Sequence, residues 1–358
     1  MKVGILGAGQ LGRMLALAGY PLGLSFRFLD HAADACAGQL APLTVGEFDA
    51  ASVDAFAADC DVLTFDWENV PVAALRGSAA AKLAPAAVAL ETAQDRLVEK
   101  EFLRGLGIAT PEHRAVGSML ELEAAVAELG YPAVLKTRRL GYDGKGQRVL
   151  RSAIDLGAAW EALEGTPLIL EAFVPFEREV SLLAVRARSG EFRAWPLTEN
   201  VHRGGILQRS IAPATDAALQ REAEAQVERV MRKLGYVGVL AVEYFVHGGK
   251  LLANEFAPRV HNSGHWTIEG SQTSQFENHL RAIAGLPLGA TDARGHAGML
   301  NLIGRLPPRE ALLAVPGARL HDYGKAPRPG RKVGHVTVVE AGRAALLEKL
   351  DALERLIG

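Results

Sequence analysis

The stretch "VGVLAVEYFVHGGKLLANEFAPRVHNSGHW", residues 237–266, reads as strand, glycine turn, strand and polar loop. With a three-residue loop at 248–250, Glu243 falls opposite Glu255 on one face of the hairpin. A loop one residue different puts Asn254 there instead, so the register matters. Val242, Tyr244 and Phe256 surround the two acids with apolar side chains. Carboxylates paired in such a place repel unless something neutralises them. Mg²⁺ does so and leaves coordination positions for phosphate oxygens and water. Two solvated hairpin acids are the plainer alternative, and the apolar neighbours argue against it. Arg259, His261, Asn262 and Ser263 follow at once, so a polar, cationic loop adjoins the acids.

Upstream, "VLKTRRLGYDGKGQRVL" (134–150) places Lys136 at the tip of an apolar strand. Gly141, Tyr142, Asp143, Gly144, Lys145, Gly146 and Gln147 follow. Three glycines in six residues mark a loop whose backbone N–H groups can fold over phosphates, with Lys136 and Lys145 as cations. It is not a P-loop, because no Gly-Lys-Ser/Thr opens a helix. A basic surface hairpin is the alternative. "LILEAFVPFEREVS" (168–181) carries Glu171 and Glu179, and "WPLTENVHRGG" (195–205) carries His202. Taken singly, each of these reads more readily as structural, and a lone His is no metal site. Downstream, "YGKAPRPGRKVGH" (323–335) gathers Lys325, Arg331 and Lys332. A phosphate monoester suits that cluster, and so does solvent.

The N-terminus reads "VGILGAGQLGRM" (3–14), with Gly7-x-Gly9-x-x-Gly12 after an apolar strand. That spacing suits a tight turn, a close backbone approach and a helix N-terminus that favours an anion. Asp30 ends the next strand at a distance fit for a ribose hydroxyl. The motif alone is weak, and it leaves a dinucleotide, another phosphate ligand and a structural turn all open.

The strand "DVLTFD" (61–66) follows a helix and leads to Trp67, Glu68 and Asn69. Alternating strands and helices predict a parallel sheet with its ligand edge at Gly7–Gly12, Asp30 and Glu68. Thr92 with Asp95 three residues on predicts one capped helix running to Leu106, stopped by Gly107. Ser118 and Glu121 cap another, and "EAEAQVERVMRKLGY" ends a third at Leu234-Gly235. From about residue 166 the strands look antiparallel, with "EFRAWPLTEN" as one of them and a hairpin at Ser189-Gly190. The last 60 residues read as short strands and a final helix. The expected organisation is α/β followed by α+β, divided at 1–91, 92–300 and 301–358, with a mobile subdomain at about 110–172.

The 358 residues carry a net charge of −2 and are 49% hydrophobic. Such a composition supports a sizeable core and gives nucleic acid no electrostatic footprint. Cys36 and Cys60 lack metal-ligand spacing and read as small core residues. No basic leader and no long apolar run are visible, so a cytoplasmic protein is expected.

A strand Lys before a glycine-rich loop, a hinge-like Glu-x-Phe-Val and two Glu on a late hairpin together resemble the ATP-grasp superfamily. "GAGQLGRM", "TFDWENV", "TRRLGYDGKGQ", "WPLTENVHRGGIL", "NEFAPRVHNSGHWTIEG" and "RPGRKVGH" narrow the resemblance to the N5-carboxyaminoimidazole ribonucleotide synthase family, in order and over nearly the whole chain. One departure is Phe-Asp-Trp at 65–67, where Tyr-Glu-Phe is expected.

The resemblance implies an ATP-grasp fold, with a Rossmann-like pre-ATP-grasp domain before it and a small β-rich domain after it. It implies that Arg96, Lys136, residues 141–147, Glu171, Ala172, Phe173, Val174, Glu179, His202, Asn254 and Glu255 bind ATP. Glu243 and Glu255 would hold Mg²⁺. Gln10, Leu11, Glu68, Arg259, His261, Asn262, Lys325, Arg331 and Lys332 would bind aminoimidazole ribonucleotide, with Arg259 and Lys136 acting on the reacting groups. Bicarbonate is the third substrate, and a homodimer is expected. Three rivals stand beside this reading: an NAD-dependent oxidoreductase, a non-catalytic nucleotide sensor and an ATP-grasp ligase of glycinamide ribonucleotide.

Overall fold

The structure is a computed structural model that describes residues 1–141 and 144–358. Its first sheet is fully parallel. Strands β1 (Lys2–Leu6), β2 (Ser25–Asp30), β3 (Leu43–Val45) and β4 (Val62–Phe65) lie in the order β3-β2-β1-β4. Val3, Ile5 and Leu6 are completely buried, as strands covered on both faces must be. The helix Gln10–Gly19 sets Leu11, Met14 and Leu15 into a core shared with Phe276, Leu280 and Ile283 of the helix Gln275–Ala284. The N-terminal sheet is thereby fastened to the middle of the chain.

A second sheet is small and antiparallel. Strands β5 (His113–Val116), β6 (Ala133–Thr137), β7 (Gln147–Leu150) and β8 (Leu168–Ala172) follow the order β5-β8-β6-β7 around their own core of Leu122, Leu135 and Leu170. Ser118 caps the helix Met119–Leu129 by accepting from Glu121 N, and Glu121 returns the contact to Gly117 N. The helix and its cap match the sequence reading.

The third sheet is the largest. It contains β9 (Arg178–Arg186), β10 (Phe192–Ala194), β11 (Thr198–Arg203), β12 (Ile206–Ala212), β13 (Gly238–His247), β14 (Lys250–Ala257), β15 (His296–Ile303), β16 (Arg319–Asp322) and β17 (Lys332–Glu340). The order is β14-β13-β9-β11-β12-β15-β17-β16, with β10 paired to β9. The C-terminal strands thus extend the middle sheet, and the final helix Arg343–Ile357 packs on them through Leu346, Leu350 and Leu353. Among the described residues, no helix is long and apolar enough to cross a membrane.

Two local expectations are corrected. The single helix from Thr92 to Leu106 is two helices, Ala87–Ala93 and Arg96–Gly105. Thr92 lies inside the first, its hydroxyl donating to Val88 O. Asp95 caps the second through Leu97 N and also receives Arg138 at 2.8 and 2.9 Å. A buried ion pair therefore competes with helix continuation at that position and wins. "EFRAWPLTEN" is two strands, β10 and the start of β11, separated by Trp195, Pro196 and Leu197. Pro196 lacks the N–H that a continuous ladder needs.

The structure also narrows what the glycine turn can hold. Asp66, just beyond β4, accepts from Gly9 N at 2.7 Å and Gly12 N at 3.1 Å. Asp30 accepts from Ala8 N at 2.7 Å and Ala32 N at 2.9 Å. Two internal carboxylates therefore take the Ala8, Gly9 and Gly12 amides of the turn. Gly7 has φ +96, and a Cβ there would lie 1.8 Å from Asp66 Oδ1. The glycine makes room for the aspartate.

Burial pushes the Asp66 carboxyl up to about 6 against the pull of the Gly12 amide, and Asp30 adds to the rise. The fold then binds more protons than the unfolded chain between about pH 4 and pH 6. This group's contribution to stability is full below that window and is lost as pH rises through it. Asp66→Asn should therefore destabilise more near pH 4.5 than near pH 7.5, by on the order of 2 kcal/mol in urea titrations. An equal loss at both would contradict the buried, proton-binding aspartate.

Candidate active site

The hairpin β13–β14 closes through Gly248 (φ +56) and Gly249 (φ +70), a two-residue turn in which both positions need the left-handed region. The expected three-residue loop is therefore absent, and His247 pairs with Lys250. That register runs as far as Tyr244 opposite Ala253. Carried further, it would set Asn254 opposite Glu243. A β-bulge there instead takes up Asn254 and sets Glu255 opposite Glu243. The predicted pairing holds, but a bulge produces it.

The two acids divide their protons, as close like charges must. Burial and the Glu255 charge push Glu243 up to about 7. Against burial, the Arg96 guanidinium holds Glu255 down to about 2, with Arg96 Nη1 2.6 Å from Glu255 Oε2. Glu243 Oε1 faces His261 Nε2 at 3.3 Å. A pair of hard oxygen donors on a rigid hairpin, their repulsion only partly relieved by Arg96, suits Mg²⁺, which takes one or two carboxylates plus phosphate oxygens and water.

A second charge cluster adjoins the first. Lys136, from the end of β6, lies 2.9 Å from Glu171 Oε2 on β8, and Lys100 lies 3.4 Å from Glu171 Oε1. Glu171 pairs with Val134 and Lys136 with Ile169, so the two side chains stand two rungs apart on one face of the sheet. Against burial, Lys100 and then Lys136 hold Glu171 down to about 2. Lys100 Nζ also donates to Asn254 O at 3.1 Å, and Glu99 Oε1 accepts from Phe256 N at 2.6 Å. The helix Arg96–Gly105 therefore supports the bulged strand from behind. His202 Nδ1 meets Glu179 Oε2 at 2.9 Å, and that contact raises the imidazole's proton affinity despite burial.

Near Glu255, Glu68 and Arg259 form a close ion pair. Arg259 holds the Glu68 carboxyl below its ordinary range despite burial. Gln10 accepts from Lys325, which joins the first helix to the C-terminal loop. Asn262 and Asn301 exchange side-chain amide bonds at 3.0 and 2.7 Å.

These residues surround one cleft of about 1150 Å³. It is lined by Gln10, Leu11, Glu68, Arg96, Lys136, Gly141, Gly144, Lys145, Gln147, Glu171, Ala172, Phe173, Val174, Glu179 and His202. Glu243, Asn254, Glu255, Arg259, His261, Asn262, Lys325, Arg331 and Lys332 complete that set. Gly146 is not among the lining residues. Its carbonyl accepts from Thr137 N, and a Cβ on it would meet Thr137 Oγ1 at 2.6 Å, so it shapes the β6–β7 hairpin. Tyr142 and Asp143 lie outside the described residues. Gly144 lies so close to the β11–β12 turn that a Cβ would stand 2.7 Å from Gly204 O, so the glycine loop reaches across the cleft.

Some members of the site were missed in the sequence. Lys100 and Glu99 carry no loop signal and read as ordinary helix charges. Phe176 stacks on Phe245 with centroids 4.8 Å apart, and Phe48 packs on Trp67 at 5.8 Å. All four aromatics and Arg328 also line the cleft. Arg328 could have been found, since it sits inside the basic stretch already singled out.

Three family descriptions match in succession: a ribonucleotide synthetase preATP-grasp domain over 1–94, an ATP-grasp domain over 101–276 and a phosphoribosylaminoimidazole carboxylase C-terminal domain over 297–349. The N5-carboxyaminoimidazole ribonucleotide synthase of Pseudomonas aeruginosa is 52% identical over 100% of this chain and 99% of its own. The crystal structure of N5-carboxyaminoimidazole ribonucleotide synthetase from Thermus thermophilus superposes with a TM-score of 0.94 at 57% identity. It covers 99% of this chain and 98% of that one. An Aspergillus clavatus N5-carboxyaminoimidazole synthase, solved with ADP and 5-aminoimidazole ribonucleotide, gives a TM-score of 0.92 at 33% identity, over 99% and 98% of the two chains. With its cleft built from all three matched segments, the chain belongs to the N5-carboxyaminoimidazole ribonucleotide synthase family of ATP-grasp ligases.

Proposed function

We propose that this protein carboxylates 5-aminoimidazole ribonucleotide, using ATP and bicarbonate, to give N5-carboxyaminoimidazole ribonucleotide, ADP and phosphate in purine biosynthesis. The observation that carries the reading is the single cleft. Its walls carry both the Lys136–Glu171 and Arg96–Glu255 cluster and the Gln10–Lys325 and Glu68–Arg259 contacts. The first group suits a nucleoside triphosphate and the second a ribose phosphate.

In this reading Arg96, Lys136, the 141–147 loop, Glu171–Val174, Glu179, His202, Asn254 and Glu255 hold ATP. Glu243 and Glu255 hold Mg²⁺, which supplies charge neutralisation at the transferring phosphoryl group. Bicarbonate oxygen attacks the γ-phosphorus, the bond to the β-phosphate oxygen breaks, and ADP leaves. The carboxyphosphate so formed loses phosphate, and the exocyclic amine captures the carboxyl carbon and gives up a proton. Arg259 holds the carboxyphosphate oxygens once Glu68, its present partner, turns to the ribose hydroxyls. Lys325, Arg331 and Lys332 meet the 5′-phosphate, and Gln10, Leu11, His261 and Asn262 fix the rest of the acceptor. The glycine loop excludes water while the labile intermediate exists. A cytoplasmic homodimer completes the proposal, by family resemblance alone.

Two experiments test it. Lys136→Ala removes the cation that faces Glu171 in the cleft, and ADP release should fall by about 1000-fold or more, the scale of a lost phosphoryl clamp. Unchanged turnover would remove the ATP assignment. ADP release by the intact enzyme should require both aminoimidazole ribonucleotide and bicarbonate for full rate. A response to glycinamide ribonucleotide instead would select the sister ligase, and stabilisation by NADH but not Mg-ATP would select the oxidoreductase.

A further inference from the structure

Behind His261 runs a chain of buried polar side chains that the reaction as described does not use. Ser210 on β12 donates to Asn200 Oδ1 at 2.7 Å, and Asn200 Nδ2 on β11 donates to Ser181 Oγ at 2.9 Å. Ser181 on β9 meets Ser263 Oγ at 2.7 Å, which meets His261 Nδ1 at 2.9 Å. Ser181, Ser210 and Ser263 are wholly buried, and Asn200 is 4% exposed. Ser181 pairs opposite Glu243 and Ser210 opposite Asn200, so the chain crosses three neighbouring strands and ends beside the carboxylate pair. Four desolvated polar groups in a row weaken a core unless each is satisfied.

The direction of the chain is fixed at one point. The Ser263 backbone N–H also points at His261 Nδ1, at 3.3 Å, and an amide can only donate. Nδ1 must therefore be the acceptor. The Ser263 hydroxyl then turns its hydrogen to Nδ1 and its oxygen to Ser181. Ser181 donates to Ser263 and accepts from the Asn200 amide. The reverse order would set an Nδ1–H against the amide hydrogen. Gln275 clamps the same residue from behind, accepting from His261 N at 2.8 Å and donating to His261 O at 2.7 Å. The ring proton is left on Nε2, which faces Glu243 Oε1 at 3.3 Å.

We propose that Ser263, Ser181 and Asn200 are positioning residues that hold His261 as its Nε2–H tautomer, so the ring presents a hydrogen-bond donor to the cleft. His261 then steadies an acceptor oxygen of the carboxyl or phosphate group and is not the base that takes the amine proton. The catalytic consequence rests on the acceptor-site reading above, but the tautomer does not.

The test is a long-range proton–nitrogen NMR correlation on the full chain labelled at histidine nitrogen, with His261 assigned by its loss in His261→Gln. The expected spectrum shows a protonated Nε2 and an unprotonated Nδ1, without any substrate present. Asn200→Asp replaces the side-chain amide donor by an acceptor that draws the Ser181 hydrogen away from Ser263, so part of the ring-proton population should move to Nδ1 against the Ser263 N–H. Activity should fall about ten-fold or more in kcat, with KM for ATP within about two-fold. Ser181→Ala, which leaves the fold a smaller neutral side chain, should give a mixture of tautomers and a smaller fall. An Nδ1–H in the wild-type chain would overturn the proposal. So would wild-type tautomer and kcat in Ser181→Ala together with either result for Asn200→Asp. If the substrate assignment were wrong, the wild-type spectrum would still show Nε2–H.

Discussion

The repulsion between Glu243 and Glu255 is the constraint around which the cleft is arranged. Two carboxylates opposite each other on a rigid ladder raise each other's proton affinity, and the hairpin has no slack to part them. The chain answers unequally, with its strongest cation on one side. Arg96 takes one oxygen of Glu255, while Glu243 is left facing a histidine whose affinity for protons burial and Arg259 depress to about 3. The excess negative charge is therefore concentrated at one spot on the sheet, where a divalent ion and a polyphosphate can meet it.

Much of the surrounding architecture keeps this spot in place. The helix Arg96–Gly105 supplies Arg96 in its first turn, then Glu99 and Lys100, which grip the strand behind Glu255 at Phe256 N and Asn254 O. Lys100 also turns Glu171 toward Lys136, so the second sheet and the third share one electrostatic cluster. The N-terminal sheet is tied in through Glu68–Arg259 and the C-terminal loop through Lys325–Gln10. Each tie is an ion pair or charge-assisted bond across the cleft. Both are of the kind that a charged substrate can exchange for its own contacts, whereas the apolar cores beneath are fixed.

Elements with a strong period or a clear cap were legible in the sequence. Three of the four parallel strands, the Ser118–Glu121 cap and the C-terminal end of the helix Ala217–Lys233 came directly from patterning. Most site residues were legible because glycine, lysine and acid occur there in combinations that packing does not need. What was not legible depended on distant partners. Asp66 filling the glycine turn is a contact over 54 residues or more, and the spacing of Gly7, Gly9 and Gly12 is the same whether an aspartate or a phosphate sits there. The bulge at Asn254 hid behind a correct pairing. Reading the turn as three residues instead of two offset the missing bulge by one position, so two errors cancelled. Ser181 and Asn200 had no signal and Ser263 had only its place in the polar loop, since single polar residues in strands and loops are common, and only their alignment across the sheet gives them meaning.

The central claim is that the Glu243–Glu255 pair is a site for a divalent ion that carries the triphosphate. Calorimetric binding of a non-hydrolysable ATP analogue, with and without Mg²⁺, to the wild-type chain and to Glu243→Gln tests it most directly. The account predicts that Mg²⁺ strengthens binding to the wild-type chain by about ten-fold or more, that the gain nearly vanishes in Glu243→Gln, and that Mg²⁺-free binding is equal or slightly tighter in the variant. The same Mg²⁺ gain in both proteins would contradict it.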